Sequence, residues 1–173
     1  WYNTTTGVLK GYTFTAAAWA SGGNLNTGRY FITGTGPKTA AIVMAGSTGF
    51  PDQPTATNAT EEYNGSTWSP GGNLNTSRTG AAGFGASSTS AVCATGIVAP
   101  NTSISATEEY NGSSWTNSGS ANTNVYAAFS TGIESAGLKG QGDQIPGVRR
   151  TNNVEEYNGS SWTNVNSTGA TSY

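Results

Sequence analysis

Six of the nine acidic residues stand in three adjacent pairs, Glu61-Glu62, Glu108-Glu109 and Glu155-Glu156. Paired carboxylates can exchange protons with a substrate or hold a cation, and a glycosidase needs two of them facing each other across roughly 5 to 10 Å. Neighbours on a strand point to opposite faces, so a pair does not form a two-carboxylate site by itself. The expectation is structural: one Glu of each pair is solvated or hydrogen-bonded, and the other meets Arg29 or Arg78, which recur 49 residues apart. The third period carries Val125 at that place, and Arg149-Arg150, just ahead of the third Glu pair, is expected to supply the missing cation. The result would be a ladder of salt bridges between repeat units, in which Glu62, Glu109 and Glu156 are structural positions.

Other chemistry is thin. The chain has no His and a single Cys, Cys93, which excludes His-ligated metals, Ser-His-Asp triads and Cys-His nucleophiles within it. Gly34-Thr-Gly-Pro-Lys-Thr39 lacks the spacing of a phosphate-binding loop, and Pro37 removes a backbone donor. Seven Lys and Arg against nine Asp and Glu disfavour a nucleic-acid surface. No apolar run approaches the roughly 18 residues of a spanning helix, so membrane insertion is not expected. No catalytic residue, cofactor or metal ligand is assigned. Asp52 and Asp143, the acids outside the Glu pairs apart from Glu134, are too sparse for a calcium site.

The elements that hold these residues come from a repeat. Ala59-Thr-Glu-Glu-Tyr-Asn-Gly-Ser-Thr-Trp68 returns as Ala106 to Trp115 and again as Asn153 to Trp162. Trp68, Trp115 and Trp162 are each 47 residues apart, and Trp19 lies 49 residues before Trp68. Tyr63, Tyr110 and Tyr157 keep the same step. Ser21-Gly-Gly-Asn-Leu-Asn-Thr27 recurs as Pro70 to Thr76. Self-similarity of this period is the signature of a repeat architecture.

Within a period, Tyr-Asn-Gly-Ser reads as a two-residue type I′ hairpin, because Asn and Gly tolerate positive φ. That turn pairs Tyr63 with Ser66, Glu62 with Thr67 and Glu61 with Trp68, with Tyr63, Glu61 and Trp68 on one face. Ile42-Val43-Met44 and Ala91-Val92-Cys93 read as short buried strands, and Arg78 to Gly85 as a small-residue strand. Each period is therefore four short antiparallel strands, and no stretch has helical periodicity. Ser, Thr and Asn make up 64 of the 173 residues while charged residues are 9%, a composition for many short strands around modest cores. The predicted fold is all-β: a β-propeller of four-stranded antiparallel blades stacked face to face. The expected layout over 1–173 is a single propeller region, an incomplete or fragmentary array. It divides into outer strands of a partial blade at 1–19, blades at 20–68, 69–115 and 116–162, and the start of another at 163–173. The repeated Trps are read as packing between blades.

These residues resemble the kelch-repeat family, whose blades carry a Gly pair, then a Tyr, then a Trp. Here Tyr and Trp stand five apart, and the Gly pair is degraded to Ala45-Gly46 and to Ala94-Thr95-Gly96. The Glu-Glu-Tyr-Asn-Gly-Ser-Ser-Trp-Thr and Gly-Gly-Asn-Leu-Asn-Thr-x-Arg strings are similar to kelch-like arrays in virion proteins of marine tailed phages. The resemblance covers nearly the whole chain from about Phe14. It implies a non-enzymatic structural or adhesion module on a virion surface or outside the cell. The implied partners are other virion subunits or further copies of itself, and a host-surface glycan or receptor. The alternative is an extracellular carbohydrate-binding or carbohydrate-active propeller of a bacterium.

Recognition on a regular scaffold usually resides in the loops that vary. These precede the Glu-Glu strands: Ser47 to Ala56, Ile97 to Ile104 and Gly140 to Arg149. Phe50, Asp52, Asn101, Asp143 and Arg149 are the candidate binding residues there. Trp1, Tyr2, Tyr12, Tyr30 and Tyr126 also depart from the repeat and are candidates for a contact surface.

Overall fold

The computed structural model describes residues 21–49, 55–147 and 149–165, together with the backbone of two short paired strands, β1 (Tyr2–Asn3) and β2 (Val8–Leu9). Trp19, Phe50 and Asp52 lie outside the described residues, as do Trp1, Tyr12, Phe14 and the side chain of Tyr2. Among the described residues every regular element is a strand.

Three four-stranded antiparallel sheets follow one another along the chain. The first is β3 (Thr33–Thr35), β4 (Ala41–Met44), β5 (Thr60–Tyr63) and β6 (Trp68–Pro70). The second has β7 (Ala82–Ser87) and β8 (Ser90–Ala94). A small hairpin of β9 (Ile97–Val98) and β10 (Thr102–Ser103) then intervenes. β11 (Thr107–Tyr110) and β12 (Trp115–Ser118) complete that sheet. The third sheet repeats the scheme with β13 (Phe129–Ile133), β14 (Ala136–Gly140), the hairpin of β15 (Asp143–Gln144) and β16 (Arg149–Arg150), then β17 (Val154–Tyr157) and β18 (Trp162–Val165). Neighbours in each sheet are neighbours in sequence, apart from the inserted hairpins.

The sheets stand side by side, with β7 packed between β3 and β13. The cores lie between sheets, not within them. Ile42 and Met44 of the first sheet meet Ala91, Cys93, Tyr110 and Trp115 of the second. Phe84, Val92 and Ala94 of the second meet Tyr157 and Trp162 of the third. A lone sheet of this composition has little apolar surface to hide, so stacking supplies the burial that makes each one stable. Small residues permit the close approach: a Cβ on Gly83 of β7 would collide with the Thr33 side chain of β3, and one on Gly137 of β14 with the Phe84 ring.

The Tyr-to-Trp hairpin differs from the expected register. Tyr63 pairs directly with Trp68, as Tyr110 does with Trp115 and Tyr157 with Trp162, so the loop has four residues and not two. The cause is the Asn side chain. Asn64 Oδ1 accepts from the N–H groups of both Ser66 and Thr67 at 2.9 Å, which widens the turn, and Gly65 takes φ 94° inside it. Asn111 and Asn158 do the same. The face assignment survives the change, and each Tyr ring lies 4.9 Å from its Trp.

A second repeated device sits after the second strand of each sheet. Ala45-Gly46, Thr95-Gly96 and Gln141-Gly142 all have two successive positive φ values, 60° and 103°, 58° and 106°, 58° and 108°. The double left-handed step turns the second N–H outward. Gly46 donates to the Arg78 carbonyl at 3.0 Å and Gly96 to the Val125 carbonyl at 2.8 Å, tying each sheet to the connector that leads into the next. Gly suits the second site because L side chains rarely tolerate that φ.

Candidate functional site

Each Glu pair divides its work between two faces. The first Glu of a pair is buried against the connector that enters its own sheet. Glu61, Glu108 and Glu155 accept from the backbone N–H of Asn26, Asn75 and Asn122 at 2.7, 2.6 and 2.7 Å. The same three Asn amides donate to the Trp68, Trp115 and Trp162 carbonyls. Each carboxylate also holds a cation: Arg29 at 3.0 Å, Arg78 at 2.5 Å and Lys139 at 2.8 Å, with side chains no more than 5% exposed. Arg29 further donates to the Ala45 and Ala59 carbonyls, and Arg78 to those of Thr95 and Ala106. Connector, second strand and third strand are thereby clasped at one point.

The pair therefore forms within a sheet and its entering connector, which corrects the expected ladder between repeat units. The third cation is also corrected. Arg149 and Arg150 are exposed in the β15–β16 hairpin, where Arg150 pairs with Asp143 at 3.6 Å on the surface. Lys139 takes the role instead. It lies opposite Glu155 on β14, just as Cys93 lies opposite Glu108 and Val43 opposite Glu61. Where the connector loses its Arg to Val125, the adjacent strand gains a Lys. Burial pushes the Lys139 amine below its usual range against the pull of Glu155. At Glu61 burial acts upward, yet the Asn26 N–H, its amide and Arg29 together hold the carboxyl below the usual range.

The second Glu faces the following sheet. Glu62 accepts from the Tyr110 hydroxyl at 2.5 Å, and Glu109 accepts from the Tyr157 hydroxyl. Burial, then the carboxylate contact, raises the Tyr110 phenol and pushes that of Tyr157 up to about 12. Trp115 Nε1 donates to Thr60 Oγ1 at 3.1 Å and to the Gly72 carbonyl at 2.9 Å, and Trp162 Nε1 to Thr107 Oγ1 at 2.9 Å. Trp115 and Trp162 are buried, so these aromatics pack between sheets as expected. Glu156 has the same place on the third sheet and is exposed. Opposite-facing Glu pairs engaged in this way make no paired-carboxylate centre, and among the described residues no three His, Cys, Asp or Glu side chains group as metal ligands.

The described parts of the second and third variable loops lie side by side. The second and third sheets each extend theirs into a small hairpin, and the two are stapled: Ser103 N–H donates to the Ile145 carbonyl at 3.0 Å and Ile145 N–H to Ser103 Oγ at 2.9 Å. Asn124, on the connector, donates to the Ser103 carbonyl and accepts from Gln144 Nε2. Asn101 is exposed at one hairpin tip, and Asp143 and Arg149 lie in the other, so three of the five candidate binding residues come to neighbouring hairpins. Tyr126 bridges Asp143 through the backbone, and burial followed by the Asp143 carboxylate raises its phenol. Tyr30 donates to the Gly49 carbonyl at 2.7 Å. A groove between the second-sheet hairpin and the connector is lined by the uncharged hydroxyls and amides of Ser103, Ser105, Ser120, Asn122 and Asn124 together with Ile104 and Ala106.

Sequence reasoning missed Lys139, the three Asn residues of the clasp and the Gln141-Gly142 step. The vacancy at Val125 was the available signal for Lys139, and the recurrent Asn-Thr-x-Arg string was the signal for the Asn residues. No protein family matches the chain in sequence, and no curated protein matches it.

Proposed function

We propose that these sheets are consecutive blades of a kelch-like β-propeller, serving as a non-enzymatic display module that binds through its rim. The contrast between constant clasp and variable rim carries this reading. The buried carboxylates are held by Arg, Lys, Asn and Tyr of the scaffold itself. The described segments that differ between the second and third repeats lie in two hairpins bonded to each other and to Asn124 of the connector, beside a groove lined mostly by hydroxyl and amide groups. Such a surface suits sugar hydroxyls or a polar protein face. The resemblance to virion arrays supports a setting where many copies on one particle raise a weak single contact to useful avidity.

The test pairs glycan-panel and cell-surface binding with a hydrolysis assay on the same protein. Binding without turnover, weakened by Asn101→Ala or Arg149→Ser at unchanged Tm, is the expected result. Turnover of a bound glycan, or binding indifferent to both substitutions, overturns the proposal.

A further inference from the structure

Among the described residues, the outward faces of the first and third sheets carry the two halves of the contact that the interior makes twice. On the third sheet the outward residues are Leu138 and Glu156, with Thr131 and Thr163 across from them. Their counterparts on the second sheet, Phe84, Val92, Glu109 and Thr116, form the surface that receives Tyr157. On the third sheet the same four positions line an open concavity of about 450 Å³. Glu156, at its wall, is exposed and engages no side chain among the described residues. Gly142 takes the same left-handed step as Gly46 and Gly96, yet its N–H has no partner among the described residues where theirs reach the next connector.

The first sheet presents the complement. Tyr63 and Trp68 are stacked like the two interior pairs but only half-buried, and neither the hydroxyl nor the indole N–H makes a hydrogen bond among the described residues. Among the described residues the exposed large apolar side chains are Phe31 and Ile32, on the connector into the first sheet, and Phe129 and Ile133 on β13, with none on the middle sheet.

We infer that the outward face of the third sheet docks a second copy of this chain, head to tail, through that copy's Tyr63 and Trp68. Continuity with the two internal interfaces argues for this occupant: the Tyr63 hydroxyl donates to Glu156, its ring fills the concavity over Leu138, and Gly142 N–H meets the Arg29 carbonyl. One position departs. Val154 replaces Thr60 and Thr107, so Trp68 loses the hydroxyl acceptor that both interior Trps have. The contact is therefore weaker than the internal ones and reversible. Being heterologous, it builds a ring or an open chain and not a two-fold dimer. The inference rests on the repeat geometry and is independent of the rim-binding role.

Sedimentation velocity on the 173-residue chain over a concentration series tests it. Wild type is expected to gain mass with concentration. Glu156→Lys and Tyr63→Lys each block one end and sediment as monomers alone, whereas their equimolar mixture forms a capped dimer through the two intact faces. Glu156→Gln, a change on an exposed side chain, weakens association on the order of tenfold. A wild type that stays monomeric overturns the inference. So does a Glu156→Lys protein that associates like wild type, or a mixture of two folded variants that stays monomeric. Should Tyr63→Lys fail to fold, the Glu156 variants decide alone.

Discussion

The exchange of Arg78 with Cys93 for Val125 with Lys139 can be run backwards. Lys139→Cys removes the cation from Glu155, which is fully buried and keeps the Asn122 and Thr123 N–H groups at 2.7 and 2.9 Å. Leaving one partner of a buried pair uncompensated costs about 3–5 kcal/mol. For a chain of this size that lowers Tm by roughly 6–20 °C. Val125→Arg alone places a second cation beside Lys139 and is also destabilising. Together the two changes rebuild the second repeat: the new guanidinium stands where Arg78 does, within reach of the Gln141 and Asn153 carbonyls that replace Thr95 and Ala106, and the thiol introduced on β14 copies Cys93. The double variant should recover most of the loss, with a coupling of at least about 2 kcal/mol in a thermal or denaturant double-mutant cycle. Additivity within roughly 0.5 kcal/mol would show that the two sites do not share one carboxylate and would refute the reasoning.

Tyr110→Phe removes a hydrogen bond to a charged acceptor, so a loss of about 1.5–3 kcal/mol is expected by denaturant unfolding, and a change under about 0.5 kcal/mol contradicts the assigned docking role. Glu61 titrates below its unfolded value in the folded chain, so its contribution is complete above the unfolded carboxylate pKa of roughly 4.3 and disappears as pH falls through the folded value. The Tm gap between wild type and Glu61→Gln should accordingly be widest near neutrality and close on acidification; a gap independent of pH contradicts this. Burial pushes the Cys93 thiol up to about 11, aided by Glu108 and opposed by Arg78. Iodoacetamide at mildly alkaline pH should therefore label it only at the rate of global unfolding, and rapid labelling of the native protein would count against the buried placement.

The four-strand period was legible because its markers are strong local chemistry: Asn-Gly at the hairpin, Trp at a fixed step, small residues on the strand beside the neighbouring sheet. Register was not, since it depends on whether Asn64 Oδ1 is satisfied inside the turn, and that side-chain choice leaves no trace in spacing. The Gln141-Gly142 step was hidden for a related reason. What repeats there is a pair of dihedral angles, and Ala, Thr and Gln all occupy the first position. Lys139 escaped because the cation moved to a different strand. Proximity along the chain pointed to Arg149-Arg150, whereas the sheet register places Lys139 directly across from Glu155.

The clasp has a consequence for how such a chain can lengthen. Asn75, Thr76, Arg78 and Glu108 lie on one continuous stretch, as do Asn122, Thr123, Lys139 and Glu155. A gene duplication with breakpoints just ahead of Asn75 and Asn122 thus copies a segment in which the buried Glu arrives with its own cation, and severs the contacts between sheets, namely the Tyr and Trp bonds, the Gly96 to Val125 link and the hairpin staple, which a neighbouring copy can remake. Breakpoints at the tips of the β9–β10 and β15–β16 hairpins would instead part each buried Glu from its cation. The inheritable module is therefore out of phase with the visible sheet, beginning in the connector and ending at the last strand.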